Sequence, residues 1–250
     1  MIPVRGNPRF DEAAGLLAGS RRPVVFTGSG MSKESGIRTF RGEDGYWREH
    51  RAEDLATPGA LRRNPALVWE WYRERLIAGE GIEPHAGYMA LTELQERKGS
   101  MPVITQNVDG LHQKAGHREV VELHGTLLTA SCMEGCGNRV RLRPEMLRDL
   151  PPACPCGSWL RPDVVLFGEA LPFEAFDRAL ALAGSCDLML VVGTSMVVYP
   201  AAGIPGSAIR SGARVVEINP EETDFTGTPG VISLRGSAGE ILPELIGATT

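Results

Sequence analysis

Residues 187–195 read DLMLVVGTS, five apolar side chains in a row between an aspartate and a glycine. A strand that faces water on one side alternates apolar and polar residues; Leu188 to Val192 do not. An unbroken run of this length is expected where helices cover both faces of a parallel sheet. It is also far too short to cross a bilayer. The stretch predicts the interior of an α/β domain.

Working outward, similar runs recur at PVVFTG (23–28), MPVITQN (101–107), DVVLFG (163–168), ARVVEIN (213–219) and GVISLRG (230–236). Between the later ones lie PFEAFDRALALAG (172–184) and PAAGIPGSAIRSG (200–212), each of helix length and closed by glycine. Strand and helix alternate, which favours a Rossmann-like, doubly wound parallel sheet. Two segments interrupt that rhythm. Residues 41–98 read as mostly helical, and 127–160 hold four cysteines with little periodic core. Both are expected to form a smaller lobe, part helical and part zinc-binding, inserted into a large lobe of residues 1–40, 99–126 and 161–250.

A chain of 250 residues can bury a large core, as one domain or two lobes. Its net charge of −5 argues against a protein that coats nucleic acid or acidic membranes. No apolar secretory stretch lies near Met1, so a cytoplasmic protein is expected, acting as a monomer.

The residues that carry chemistry sit in four places. In VVFTGSGMSKESGIRTFRG, Gly28 and Gly30 permit a tight turn whose backbone N–H groups can cradle phosphate. Lys33 stands where a dinucleotide fingerprint wants its third glycine, so the loop alone leaves a phosphate site and a plain turn equally open. In TQNVDGLHQKAG, Gln106, Asn107 and Asp109 crowd the end of a strand, as a ligand loop or as a helix-capping turn. His124 precedes Gly125 in VVELHGTL; a structural, a metal-binding and a catalytic role all fit, and His112 competes for the last. Cys132, Cys136, Cys154 and Cys156 supply four soft ligands in two tight pairs, the pattern of a closed structural zinc site. Cys186 stands apart and is expected to be a buried thiol. In WEWYRERL (69–76), Tyr72 and Arg75 share a helix face, which spacing alone reads as a solvated surface pair.

Taken in order, GSGMSKESGIRTFRG, TQNVDGLH, ELHGTL, the cysteine quartet, LRPDVVLFGE, VVGTSMVVYPAA and EINPEET resemble the sirtuin family, the NAD-dependent protein-lysine deacylases. The resemblance runs from about Val24 to Ala238. It implies that NAD, consumed as a co-substrate, lies extended between a Rossmann-like lobe and a zinc lobe. Gly28, Ser29, Gly30, Met31, Glu34, Phe40, Arg41 and Trp47 would then surround the pyrophosphate and the nicotinamide side. Asn107, Val108 and Asp109 would seat the carboxamide, with Gln106 at the nearby ribose. Gly193, Thr194 and Ser195 would meet phosphate and adenosine ribose, and Asn219, Pro220, Glu221 and Ala238 the adenosine end. His124 would be the general base, with Asn107 beside it in the catalytic set, and Zn2+ would be structural.

The same resemblance gives Val165, Phe167 and Gly168 to the acylated-lysine peptide. It also turns the reading of Tyr72 and Arg75, which match the pair carried by deacylases for acidic acyl groups; Ala56 fits the wide pocket of that subclass. Succinyl- or malonyl-lysine is therefore expected as substrate, with acetyl-lysine still accepted. Lys33 departs from the family pattern and leaves two roles open, assisting phosphate or facing solvent. The alternatives are a predominantly lysine-deacetylating enzyme and, less favoured, a mono-ADP-ribosyltransferase, which mass spectrometry of the peptide product separates from a deacylase. A dehydrogenase would instead form NADH without releasing nicotinamide, and a non-catalytic zinc module would need neither TQNVDG nor ELHG.

Overall fold

The computed structural model describes residues 6–40, 45–49 and 51–249. Helix α1 (Pro8–Gly19) starts at Asn7, whose side chain accepts the Arg9 N–H. Strand β1 (Pro23–Thr27) is buried at every position and leads into a 3-10 helix, Ser29–Ser35. Four helices follow, α2 (Tyr46–Glu49), α3 (Ala52–Leu55), α4 (Pro58–Arg63) and α5 (Pro65–Gly79). Then come α6 (Ala86–Lys98), β2 (Val103–Thr105), α7 (Leu111–Lys114) and β3 (Val120–Glu122). The cysteine segment carries β4 (Gly125–Cys132), β5 (Arg139–Arg141) and β6 (Leu160–Val164). The remainder runs α8 (Phe173–Ser185), β7 (Leu188–Val192), α9 (Ile204–Arg210), β8 (Arg214–Ile218), β9 (Val231–Leu234) and α10 (Ala238–Gly247).

Six strands form one parallel sheet in the order β3-β2-β1-β7-β8-β9. Counting only these strands along the chain, the order is 3-2-1-4-5-6, the doubly wound arrangement expected from the alternating runs. Leu188 to Val192 occupy a central strand and are buried on both faces. Side chains of one parity join α1, α6 and α10 in one cluster, and those of the other join α8 and α9 in a second. Asp187 fixes the entry to this strand by accepting the N–H groups of Arg21 at 2.8 Å and Arg22 at 3.1 Å, which ties β7 to the start of β1.

The third cluster belongs to the smaller lobe, where α3 to α5 pack on a three-stranded sheet of order β5-β4-β6. Trp69 is fully buried there and its indole N–H donates to the Leu160 carbonyl at 2.7 Å, which pins α5 to β6. Tying the indole to a backbone acceptor satisfies its one polar group while its rings fill the lobe.

Three sequence expectations are corrected by this packing. DVVLFG is not a strand of the parallel sheet; its first residues end β6, which runs antiparallel to β4. The segment then turns away because Glu169 accepts the Leu166 N–H at 2.9 Å and Gly168 lies in the left-handed region. Helix α6 does not join the helical insertion, since Tyr88, Leu91 and Leu94 bury into the cluster under the sheet. The cysteine segment, expected to have little periodic core, holds β4, the central strand of the small sheet.

Candidate functional site

The two halves of the doubly wound sheet diverge between β1 and β7, and a crevice opens at that point beyond the strand ends. The loops after these strands meet backbone to backbone. Gly30 donates to the Gly193 carbonyl at 2.8 Å, and a side chain on Gly193 (φ +60°) would come within 2.3 Å of the Met31 nitrogen. That approach explains the glycines. It also corrects one expectation, because the N–H groups of Gly28, Gly30 and Met31 are all used inside the loop pair and do not face the crevice as donors. The Met31 side chain is likewise turned into the core, fully buried, and does not line the cleft.

A cleft of about 330 Å³ gathers most of the predicted residues. Its walls include Gly28, Ser29, Gly30, Glu34, Phe40, Gln106, Asn107, Val108 and His124. Gly193, Thr194, Ser195, Asn219, Pro220, Glu221 and Ala238 line it too, as do Ala56, Tyr72, Arg75, Val165, Phe167 and Gly168. Asp109 is not on this wall but lines an adjoining cavity. Arg41 and the side chain of Trp47 lie outside the described residues. Gln106 and Asn219 both brace the second loop, donating to the Thr194 hydroxyl and carbonyl at 2.9 Å each. Lys33 lines the cleft with an exposed side chain.

His124 is half-buried, and its Nδ1 lies 3.0 Å from the Gln106 carbonyl. A carbonyl only accepts, so Nδ1 carries the proton and Nε2 carries the lone pair. Burial holds the imidazole below its usual pKa, with the bond to Gln106 opposing. The neutral, basic form is the resting state. His112, the rival candidate, is buried beneath the loop and its Nε2 donates to the Thr27 hydroxyl at 3.0 Å, since the Thr27 hydrogen goes to Thr105.

Behind the cleft lies a buried polar network. Asn107 Nδ2 donates to the Ser32 hydroxyl at 3.1 Å, and Ser32 donates to Asp109 at 2.7 Å. The Tyr88 hydroxyl, 2.8 Å from Ser32, therefore donates to it. Burial raises the Asp109 pKa, and the Leu111 N–H and the Ser32 hydroxyl pull it back. Ser32, Tyr88 and His85 carried no signal in the sequence; His85 donates to the Met31 carbonyl from Nε2 at 2.7 Å. Glu34 has a structural task as well, accepting the Gly239 N–H at 2.6 Å at the start of α10. Glu217, buried within β8, takes hydroxyls from Thr226 and Ser233, and Arg235 donates to the Glu221 carbonyl at 2.5 Å. These bonds hold the Asn219–Glu221 wall.

His117 packs against His112 with ring centroids 5.0 Å apart, and neither of its nitrogens has a partner among the described residues. Burial lowers its pKa from 6.5 to about 4. The unfolded chain therefore binds more protons than the native one as pH falls through this window, and stability declines with it. At about pH 5 the cost is about 2 kcal/mol relative to neutral pH. In His117→Leu, the difference in unfolding free energy between neutral pH and that acid pH is expected to shrink by this amount. Denaturant titrations check it; an unchanged difference refutes the assignment.

Tyr72 and Arg75 are not a solvated pair. Tyr72 is buried and desolvation pushes its pKa up to about 12, so its hydroxyl stays a donor. The Arg75 guanidinium lies over the rings of Phe40 and Trp71, each 4.7 Å from centroid, with Tyr46 at 5.4 Å. Among the described residues its charge is met by ring faces and a tyrosine hydroxyl, with no carboxylate in ion-pair range.

In the small lobe the four cysteine sulfurs lie within 4.8 Å of one another. The Cys132–Cys156 and Cys136–Cys154 pairs are 3.6 Å apart and Cys154–Cys156 3.5 Å. Bonds of about 2.3 Å to one tetrahedral ion put sulfurs about 3.8 Å apart, so the set fits structural zinc. The single-residue gap in CPC does not hold its thiols apart. Four protein ligands leave no open position, and zinc there would join β4 to the 154–156 turn rather than take part in chemistry. Chelation of the zinc-loaded protein is expected to lower its melting temperature by on the order of 10 °C. An unshifted melt after metal loss, verified by elemental analysis, counts against the site. Cys186 is the expected buried thiol.

A Sir2 family model matches residues 28–200. The chain belongs to the Sir2 family. This Sir2 protein is 52% identical over 234 residues to NAD-dependent protein deacylase 2 of Pyrobaculum aerophilum, with 93% of each chain covered. A solved Sir2 homologue in complex with NAD superposes with a TM-score of 0.88 at 42% identity, covering 96% of this chain and 93% of that one. A Sir2 structure with a deacetylated p53 peptide and 3′-O-acetyl-ADP-ribose gives 0.88 at 31% identity, covering 95% and 97%.

Proposed function

We infer that this Sir2 protein is an NAD-dependent protein-lysine deacylase. One observation carries the reading: a single cleft is lined at once by the paired glycine loops, by His124 and by the pocket of Ala56, Tyr72 and Arg75. A dinucleotide across the loops brings its nicotinamide ribose towards His124, and an acyl-lysine entering beside Val165 and Phe167 reaches the same sugar. The acyl oxygen attacks the anomeric carbon, the bond to nicotinamide breaks, and the ring nitrogen keeps the electron pair. His124 Nε2 takes a proton from a ribose hydroxyl, which attacks the acyl carbon in turn. Water completes the reaction to free lysine and O-acyl-ADP-ribose. Asn107 holds the carboxamide side, braced by Ser32.

For the acyl group, the support is a desolvated cation that meets no carboxylate in ion-pair range among the described residues, next to a tyrosine that stays protonated. A succinyl or malonyl tail supplies the missing anion and accepts the hydroxyl. Acetyl-lysine fits the space without that pairing. Matched succinyl- and acetyl-lysine peptides incubated with NAD test both parts. Formation of nicotinamide and O-acyl-ADP-ribose with the succinyl peptide preferred is the expected result; NADH formation, or ADP-ribose joined to the peptide, rejects the activity.

A further inference from the structure

Strand β8 carries a buried charge that the reaction has not yet used. Glu217 is 1% exposed and lies between Val191 of β7 and Ser233 of β9. A carboxylate in that position is costly unless its oxygens are hydrogen-bonded and its charge is paired. Here Thr223 donates its hydroxyl to Oε1, and Thr226 at 3.0 Å and Ser233 at 2.6 Å donate theirs to Oε2. The Arg235 guanidinium supplies the opposite charge, 3.5 Å from Oε2. The same guanidinium reaches the carbonyls of Asn219 at 3.3 Å and Glu221 at 2.5 Å and the Thr226 hydroxyl at 2.6 Å. Most of these partners belong to one loop. No helix or strand lies between β8 and β9, so residues 219–230 have no ladder of their own, and their first half is folded round this carboxylate.

We propose that Glu217 is a positioning residue for the dinucleotide, fixing from behind the loop against which the adenosine end of NAD binds. The proposal rests on the deacylase reading. Asn219, Pro220, Glu221, Glu222 and Thr223 line the cleft, whereas Glu217, Thr226 and Arg235 do not. Glu217 therefore acts on the cofactor through the loop. Its grip is directional. A carboxylate only accepts, so each hydroxyl that turns to it directs its hydrogen there. The oxygens of Thr223 and Thr226 are left with lone pairs, which take the Phe225 and Thr223 N–H groups at 3.1 and 3.0 Å. Those bonds close the turn, and Arg235 holds the carbonyls of Asn219 and Glu221. A wall formed in advance needs no ordering when NAD arrives, and that ordering cost stays out of the binding constant.

Glu217→Gln keeps the size of the side chain but exchanges one acceptor oxygen for a donor and removes the charge facing Arg235. With a succinyl-lysine peptide, the KM for NAD is expected to rise about tenfold, while kcat and the KM for the peptide stay within about twofold. Calorimetry with ADP-ribose is expected to show the same loss of affinity. A carboxylate that served folding alone would lower the melting temperature and the active fraction, hence the apparent kcat, and leave the KM for NAD where it was. Thr226→Val removes one hydroxyl without touching the charge and is expected to raise that KM about threefold. It carries the test if Glu217→Gln does not fold. An unchanged KM for NAD in the folded variant overturns the positioning role, and so does a rise matched by the KM for peptide. An unaltered protein that forms no O-acyl-ADP-ribose from NAD and acyl peptide overturns the deacylase reading, and the role with it.

Discussion

His124→Ala is expected to lower the formation of O-acyl-ADP-ribose by about 10²- to 10⁴-fold, the usual range for removing a positioned general base. The geometry behind this is specific. The Gln106 carbonyl selects the tautomer with a bare Nε2, and burial keeps that nitrogen unprotonated at neutral pH. Exchange of nicotinamide precedes the proton transfer, so the variant is expected to keep it within about threefold. Loss of both activities together would instead point to a role in placing NAD. For the unaltered enzyme the sign of the pH effect follows from the lowered pKa. The base form persists below the ordinary value of 6.5, so the acid limb of kcat/KM has its inflection below that value. A variant that keeps more than about a tenth of the deacylation rate removes His124 from the base role.

How far the sequence foretold this site depends on the distance over which each signal acts. Strands β1 and β7 announced themselves because burial on both faces leaves nearly every step apolar, and β8 did so through Val215, Val216 and Ile218 around the buried Glu217. Strand β3 went unread since it is three residues long, lies at the sheet edge, and is only half-buried at two of its positions. DVVLFG carried the same apolar signature for a different reason: its buried residues serve the small-lobe cluster, which composition cannot distinguish from the sheet's own core. Gln106, Asn107 and His124 stood out as polar groups at strand ends. Ser32, Tyr88 and His85 did not, because a serine, a tyrosine and a lone histidine acquire their tasks only when α6 packs against the glycine loop. The environment of Arg75 was equally hidden. Its aromatic neighbours come from Phe40, Tyr46, Trp71 and Tyr72, and only the last two lie on its own helix.

That environment sets the second large expectation. Arg75→Met retains an unbranched apolar chain to lie against Phe40 and Trp71 but removes the charge. A hydrogen bond to a charged group contributes about 1.5–3 kcal/mol, and a forked guanidinium–carboxylate pair lies at the upper end, so kcat/KM for a succinyl-lysine peptide is expected to fall about 100-fold. For the acetyl-lysine peptide the same substitution removes no partner. It also relieves the pocket of a desolvated cation that an acetyl group leaves unpaired, so the expected change is less than about threefold in either direction. Tyr72→Phe removes one hydroxyl donor and is expected to cost about tenfold on the succinyl substrate alone. The two side chains address the same carboxylate, so their losses are expected to be non-additive in a double-mutant cycle. Burial works against the charge on Arg75, and Tyr72, Tyr46 and Asp109 favour it, which leaves a guanidinium that is cationic at neutral pH and, among the described residues, has no carboxylate in ion-pair range. Equal losses on both peptides would mean that Arg75 props up the pocket through its ring contacts and does not read the acyl group.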